Sequence, residues 1–145
     1  MSDHEPNLFL SEQHPVSRRW ATVEDHGTCA FLYLSEPDQK RPIGDCWLYN
    51  RVPAPKPSEV KNFRPNPPPA AVGYVGPDAQ MSPPGEGDVE LLWSSDGEAV
   101  AVLLHGMPLG LLIAGESGMS LHLIKSGPWG EPWDQSRFDE IEWQT

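Results

Sequence analysis

The apolar positions of this chain come in short runs closed by Gly, Pro and Asp. No segment holds a 3.6-residue apolar period over three turns, so the pattern predicts strands and no helix. Arg18 to Glu24 predicts a strand, with Trp20, Thr22 and Val23 as its β-formers. Gly27 to Ser35, GTCAFLYLS, predicts a strand of nearly unbroken apolar character, and Ile43 to Arg51, IGDCWLYNR, its return. The two make a hairpin across a turn at Glu36 to Pro42. Later, Asp88 to Trp93, Glu98 to Leu104, Leu109 to Ala114 and Met119 to Lys125 predict a four-strand meander. Its turns are Ser94-Ser95-Asp96-Gly97, His105-Gly106-Met107-Pro108 and Gly115-Glu116-Ser117-Gly118. A short last strand is expected at Ile141 to Trp143, and Leu8-Phe9-Leu10 marks an N-terminal arm or edge strand.

Between Pro53 and Gly87 this pattern stops. Ten of the 17 prolines fall in these 35 residues, a density at which no regular sheet or helix is expected. A structureless loop of that length is unusual inside a compact domain. The segment is therefore either mobile or, the reading favoured here, an extended strap on the sheet. Val60, Phe63, Val72, Tyr74 and Val75 are its apolar anchors.

The expectation is one domain over residues 1–145, all-β or sheet-dominated α+β, an antiparallel meander of six or seven strands with a long Pro-rich strap. Its parts are the first strands and hairpin at 16–51, the strap or loop at 53–87, the meander at 88–125 and a Trp- and acid-rich tail at 126–145.

Charge changes the picture. The net charge is −11, and residues 65–145 carry only Lys125 and Arg137 against 12 acidic residues. Nucleic-acid binding needs concentrated Lys and Arg, and docking on an anionic membrane needs the same, so neither is expected. A field of one sign attracts a basic partner. No basic n-region and apolar run opens the chain, no apolar stretch reaches spanning length, and two cysteines fit a reducing compartment. A cytoplasmic location is expected.

The segment WSSDGEAVAVLLHGMPLGLLI, residues 93–113, resembles a family of small bacterial proteins of unknown function. In that family a Trp-Ser-x-Asp-Gly turn leads into an apolar strand, a Gly turn with a nearby Pro, and another apolar strand. Gly27 before an aromatic strand, and Asp45-Cys46-Trp47-Leu48-Tyr49-Asn50 on the return, match a similar pair of strands. The resemblance covers about half the chain and is absent from the Pro-rich segment. It implies a shared β scaffold and bacterial origin, and brings no catalytic residues.

Candidate chemistry is sparse. His4, His14, His26, His105 and His122 do not fall at metal-ligand spacing with one another, with Cys or with acids, and no metal or cofactor is expected. Gly115-Glu116-Ser117-Gly118 is one residue short of a nucleophile elbow, and no phosphate-cradling Gly-rich loop with a following Lys occurs. A hairpin turning about Pro37-Asp38 would bring Cys29 opposite Cys46, where two small buried thiols are a better reading than a strained disulfide.

Two functional readings remain. In the first, the chain is a non-enzymatic protein-binding module, such as an immunity protein or inhibitor that neutralises a basic toxin or effector. Its contact residues would be Trp129, Glu131, Trp133, Asp134, Asp139, Glu140 and Glu142, indoles among acids. In the second, a small-ligand-binding or enzymatic β domain holds a pocket between hairpin and meander, lined by Tyr33, Asp45, Trp47 and His105.

Overall fold

The computed structural model of the protein describes residues 7–37 and 41–144. The start of the expected arm and the centre of the turn at Glu36 to Pro42 lie outside the described residues. Two sheets form. The first orders β1 (Phe9–Gln13), β2 (Trp20–Asp25), β3 (Cys29–Ser35) and β4 (Pro42–Asn50) as an antiparallel meander. The second orders β5 (Val89–Trp93), β6 (Ala99–Leu104), β7 (Met107–Ile113), β8 (Met119–Ser120) and β9 (Glu131–Pro132), with only the last pair parallel. The fold is sheet-dominated and mostly antiparallel.

The sheets pack face to face, as alternation along their strands dictates. Ala21, Val23, Leu32, Leu34, Cys46 and Leu48 from the first meet Val89, Leu91, Trp93, Val100, Val102 and Leu112 from the second. Each fully buried Leu or Val contributes about 1.5–3 kcal/mol. The approach is tightest where β4 crosses β7. A Cβ on Gly110 would lie 2.5 Å from Leu48 Cδ2, and one on Gly118 would lie 2.5 Å from Cys46 Cβ.

The other face of the first sheet is buried too, which explains why β3 reads as an unbroken apolar run. Cys29, Phe31 and Trp47 face outward, and the Pro-rich segment lies over them with Ala70, Ala71 and Ala79, beside Leu123 and Trp129. The segment is thus a strap. Its anchors are mainly these alanines, joined by half-buried Val60, Tyr74 and Val75, whereas Val72 is exposed. Small side chains let a proline-rich backbone lie close to the sheet. One expectation fails: Pro57–Phe63 forms a 3-10 helix, with proline at its first turn, where the missing N–H is no loss.

Asn50 fixes the strap. Its Oδ1 accepts from Trp47 Nε1 at 2.8 Å and from Ala70 N at 2.9 Å, and its Nδ2 donates to Ala70 O at 2.9 Å. Its backbone pairs on either side of Gln80, with Ala79 O and Met81 N.

The two cysteines are not opposite each other, and the reading of them as small buried thiols holds. Cys29 lies opposite Asn50 and Cys46 opposite Leu32, because Ser35 pairs with Pro42 rather than Lys40 and the register shifts at Leu34/Ser35 and Ala30/Phe31 then slide β4 further along β3. Both thiols are free and buried, Cys29 under the strap and Cys46 between the sheets, and burial pushes each up to about 12.

In the second sheet the Ser94–Gly97 turn forms as expected. Asp96 Oδ1 accepts from Ser94 Oγ at 2.7 Å and Glu98 N at 3.0 Å, with Gly97 at a φ of 72°. The next turn is tighter than expected: His105 and Gly106 both take positive φ, and the strand resumes at Met107. Met119 to Lys125 is a strand only at Met119–Ser120; the chain then turns, and Leu123 bridges the strap at Val75.

Candidate functional site

The tail was expected to end in a strand. It forms instead a helix, α1 (Gln135–Glu140), with Asp134 as its N-cap accepting from Ser136 N at 3.1 Å. Six residues are too few to display a helical period, so the apolar pattern could not announce it. Trp143 alone makes a strand-like bridge, to Ser94.

The helix and its flanks cover the outer face of the second sheet. Trp133, Phe138, Ile141 and Trp143 pack on Ala99, Ala101, Leu111 and Met119. Their rings form a row, Trp133 to Phe138 at 5.6 Å and Phe138 to Trp143 at 4.9 Å. The indole N–H groups are used locally: Trp133 Nε1 donates to Gln135 Oε1 and Trp143 Nε1 to Phe138 O.

With the apolar side of the tail turned inward, its carboxylates face solvent. Glu131, Asp134, Asp139, Glu140 and Glu142 are all exposed. Two hollows adjoin the helix and share Ile113. The first, about 200 Å³, has Leu111, Met119 and Pro132 beneath Glu131, Asp134 and Arg137. The second, about 320 Å³, has Ala99 and Ile141 beneath Asp96, Glu98 and Glu142.

The charges of this rim are unevenly balanced. Arg137 is taken by Glu116, and Glu98 is held by Arg19 at 3.0 Å. Asp134 is held below the usual carboxylate range, chiefly by the Ser136 hydroxyl, and Asp96 likewise by the Glu98 N–H and the Ser94 hydroxyl. These donors hold both groups ionised, leaving an apolar floor under a rim of net negative charge. The arrangement suits a cationic side chain with an aliphatic stem.

Of the expected contact residues, Glu131, Asp134 and Glu142 border the hollows, while Asp139 and Glu140 lie on the exposed side of α1. Trp133 and Trp143 form the wall of this face, and Trp133 is only half-buried. Trp129 stands apart. It is buried beneath the strap, its ring tilted against Tyr74 and its Nε1 donating to Pro68 O at 3.0 Å. Asp96, Glu98, Glu116 and Arg137 were missed, because Asp96 and Glu116 sit in turns that read only as hairpin closures and Glu98 reads as the start of a strand. The outward parity of Ser94 and Ala99 was the available signal.

The alternative pocket is only partly assembled. Tyr33 pairs with Asp45 in register, and Trp47 lies on the same face, but Trp47 is wholly buried. The Tyr33 hydroxyl is bonded to His26 Nε2 at 2.8 Å, and burial pushes both the phenol and the Asp45 carboxyl up. Asp45 borders a hollow of about 420 Å³ between the glycine-bearing loops at 115–118 and 127–130. His105 does not join these residues: it lies in the turn between β6 and β7, exposed and 3.8 Å from Asp88.

Among the described residues, no group of three or more His, Cys, Asp or Glu side chains could hold a metal ion, and no helix is long and apolar enough to cross a membrane. Compared with protein-family models, with curated proteins and with solved structures, the chain matches none.

Proposed function

We propose that the chain is a protein-binding module that takes a basic partner against the outer face of its second sheet, as an immunity protein or inhibitor would take a basic toxin or effector. The observation that carries this reading is the pair of adjoining hollows around Ile113. Their floors are apolar, and Glu131, Asp134, Asp96 and Glu142 stand at their rims with Arg137 already neutralised by Glu116. Lys or Arg side chains fit such a place, with stems on the floor and charges at the rim. The buried, free thiols accord with residence in a reducing compartment.

The test is capture of partners by the tagged chain from native extract at low salt, with a variant carrying Glu131→Gln, Asp134→Asn, Asp139→Asn and Glu140→Gln run beside it. The expected result is one stoichiometric basic protein, released as salt rises and poorly retained by the variant. Equal retention by the variant removes this face from the interface.

A further inference from the structure

β5 is the edge of the second sheet, and part of its backbone is left open among the described residues. Asp88 O accepts from His105 N at 3.0 Å, and Ser94 N donates to Ala99 O at 2.9 Å. By antiparallel alternation, even-numbered residues of this strand turn their backbone groups towards β6, and Val89, Leu91 and Trp93 turn theirs away. The tail takes one end of that open edge. Gln144 N donates to Trp93 O at 2.8 Å and Ser95 N to Glu142 O at 2.9 Å, around an antiparallel bridge of Ser94 with Trp143. Val89 N–H is taken by Glu86 O at the end of the 3-10 turn Glu86–Asp88, whereas Val89 C=O and both backbone groups of Leu91 have no partner among the described residues.

We propose that the basic partner enters as an extended segment that pairs with Leu91 and the Val89 carbonyl and adds a strand to the second sheet at β5. This rests on the reading of the chain as a binder of a basic partner, and adds how the partner is held. Charge selects the occupant. Glu86, Asp88 and Glu90 are exposed at one end of the open edge, with Asp96 and Glu142 exposed at the other. No Lys or Arg occurs in the sequence between Arg64 and Lys125. A second copy pairing β5 with β5 would bring the Glu90 carboxylates together across the seam and join two chains of net charge −11. An added strand with Lys or Arg at alternate places sets cations beside Glu90 on the outer face. Its intervening apolar residues face the side where Leu91 and Val89 enter the core.

The probe is a synthetic peptide alternating lysine and valine, titrated at low salt into the full chain, with amide hydrogen exchange and chemical shifts followed by NMR. At peptide concentrations about nine times its Kd, the Leu91 amide should exchange about tenfold more slowly, since about a tenth of the sites remain free. Glu90→Lys should weaken this peptide and favour one alternating glutamate and valine. Shifts confined to residues 131–142, with Leu91 unprotected and Glu90→Lys binding equally well, overturn the strand while leaving the basic-partner reading intact. No binding anywhere overturns both. Protection that grows with protein concentration in the absence of peptide assigns the edge to a second copy and also overturns the proposal.

Discussion

Asn50 carries an amide into one of the least accessible parts of the molecule, and both ends of that amide are used. Replacing it by Ala strands the Trp47 indole N–H and both backbone groups of Ala70 in an apolar environment. Each buried unsatisfied group costs about 1–3 kcal/mol, so Asn50→Ala should destabilise the chain by about 3 kcal/mol in urea unfolding and speed proteolysis within residues 53–80. A loss below about 1 kcal/mol would mean that the strap is held by its alanines alone. Sequence placed Asn50 in a strand, but nothing local could reveal its role, because its partner lies 20 residues on in a segment without periodicity. The thiols give a second prediction. Their folded values, about 12, exceed the ordinary 9.0 that applies once the chain unfolds. The stability that protonated, buried Cys29 and Cys46 contribute is therefore complete below pH 9 and lost as pH rises towards 12. Tyr33 and Tyr49, raised chiefly by burial, act in the same direction. The midpoint of thermal unfolding should fall steadily above pH 9, and alkylation at neutral pH should leave both thiols intact in the native chain and label both in denaturant. Labelling of either native thiol would contradict the burial described.

Most strands were legible because their alternation or unbroken apolar runs reflect how many of their faces are covered. β3 is covered on both, β4 on both from Cys46 onward, and β2 chiefly on one. What stayed hidden had no pattern to show: α1 is too short for a period, and a β-bulge that slides β4 along β3 leaves no mark in composition. The turns closing the second hollow showed Asp-Gly chemistry plainly, yet gave no hint that Asp96 and Glu98 would share a rim with Glu142. The tail raises its own prediction at this scale. Phe138 sits between Trp133 and Trp143, so Phe138→Ala removes both ring contacts and loosens the layer over Ala99, Ala101 and Leu111. A half-buried aromatic loses less than the full core value, so the expected cost is about 2 kcal/mol. The uncovered sheet face should then bind a hydrophobic dye that the parent chain does not bind. Unchanged stability with no dye binding would mean that the indoles cover the sheet without the helix.

At the scale of the whole molecule, the charge asymmetry was the most legible feature of all, since it needs only counting. Which face it serves was not, because the acids of the tail and those of the 94–98 turn meet only in the fold. That asymmetry makes two opposite predictions with one variable. In the free chain, net charge −11 on a small domain is self-repulsive, and the ion pairs among the described residues, such as Arg19 with Glu98 and Arg51 with Asp25, work against it. The screening length falls from about 30 Å at 0.01 M salt to about 10 Å at 0.1 M. Added salt should therefore raise the unfolding midpoint of the free chain. In complex with a basic partner, the same screening weakens attraction across the interface, so affinity should fall over the same range. A midpoint that drops with salt would show the ion pairs outweighing repulsion. An affinity insensitive to salt would show that the acidic rim does not face the partner, whatever the partner proves to be.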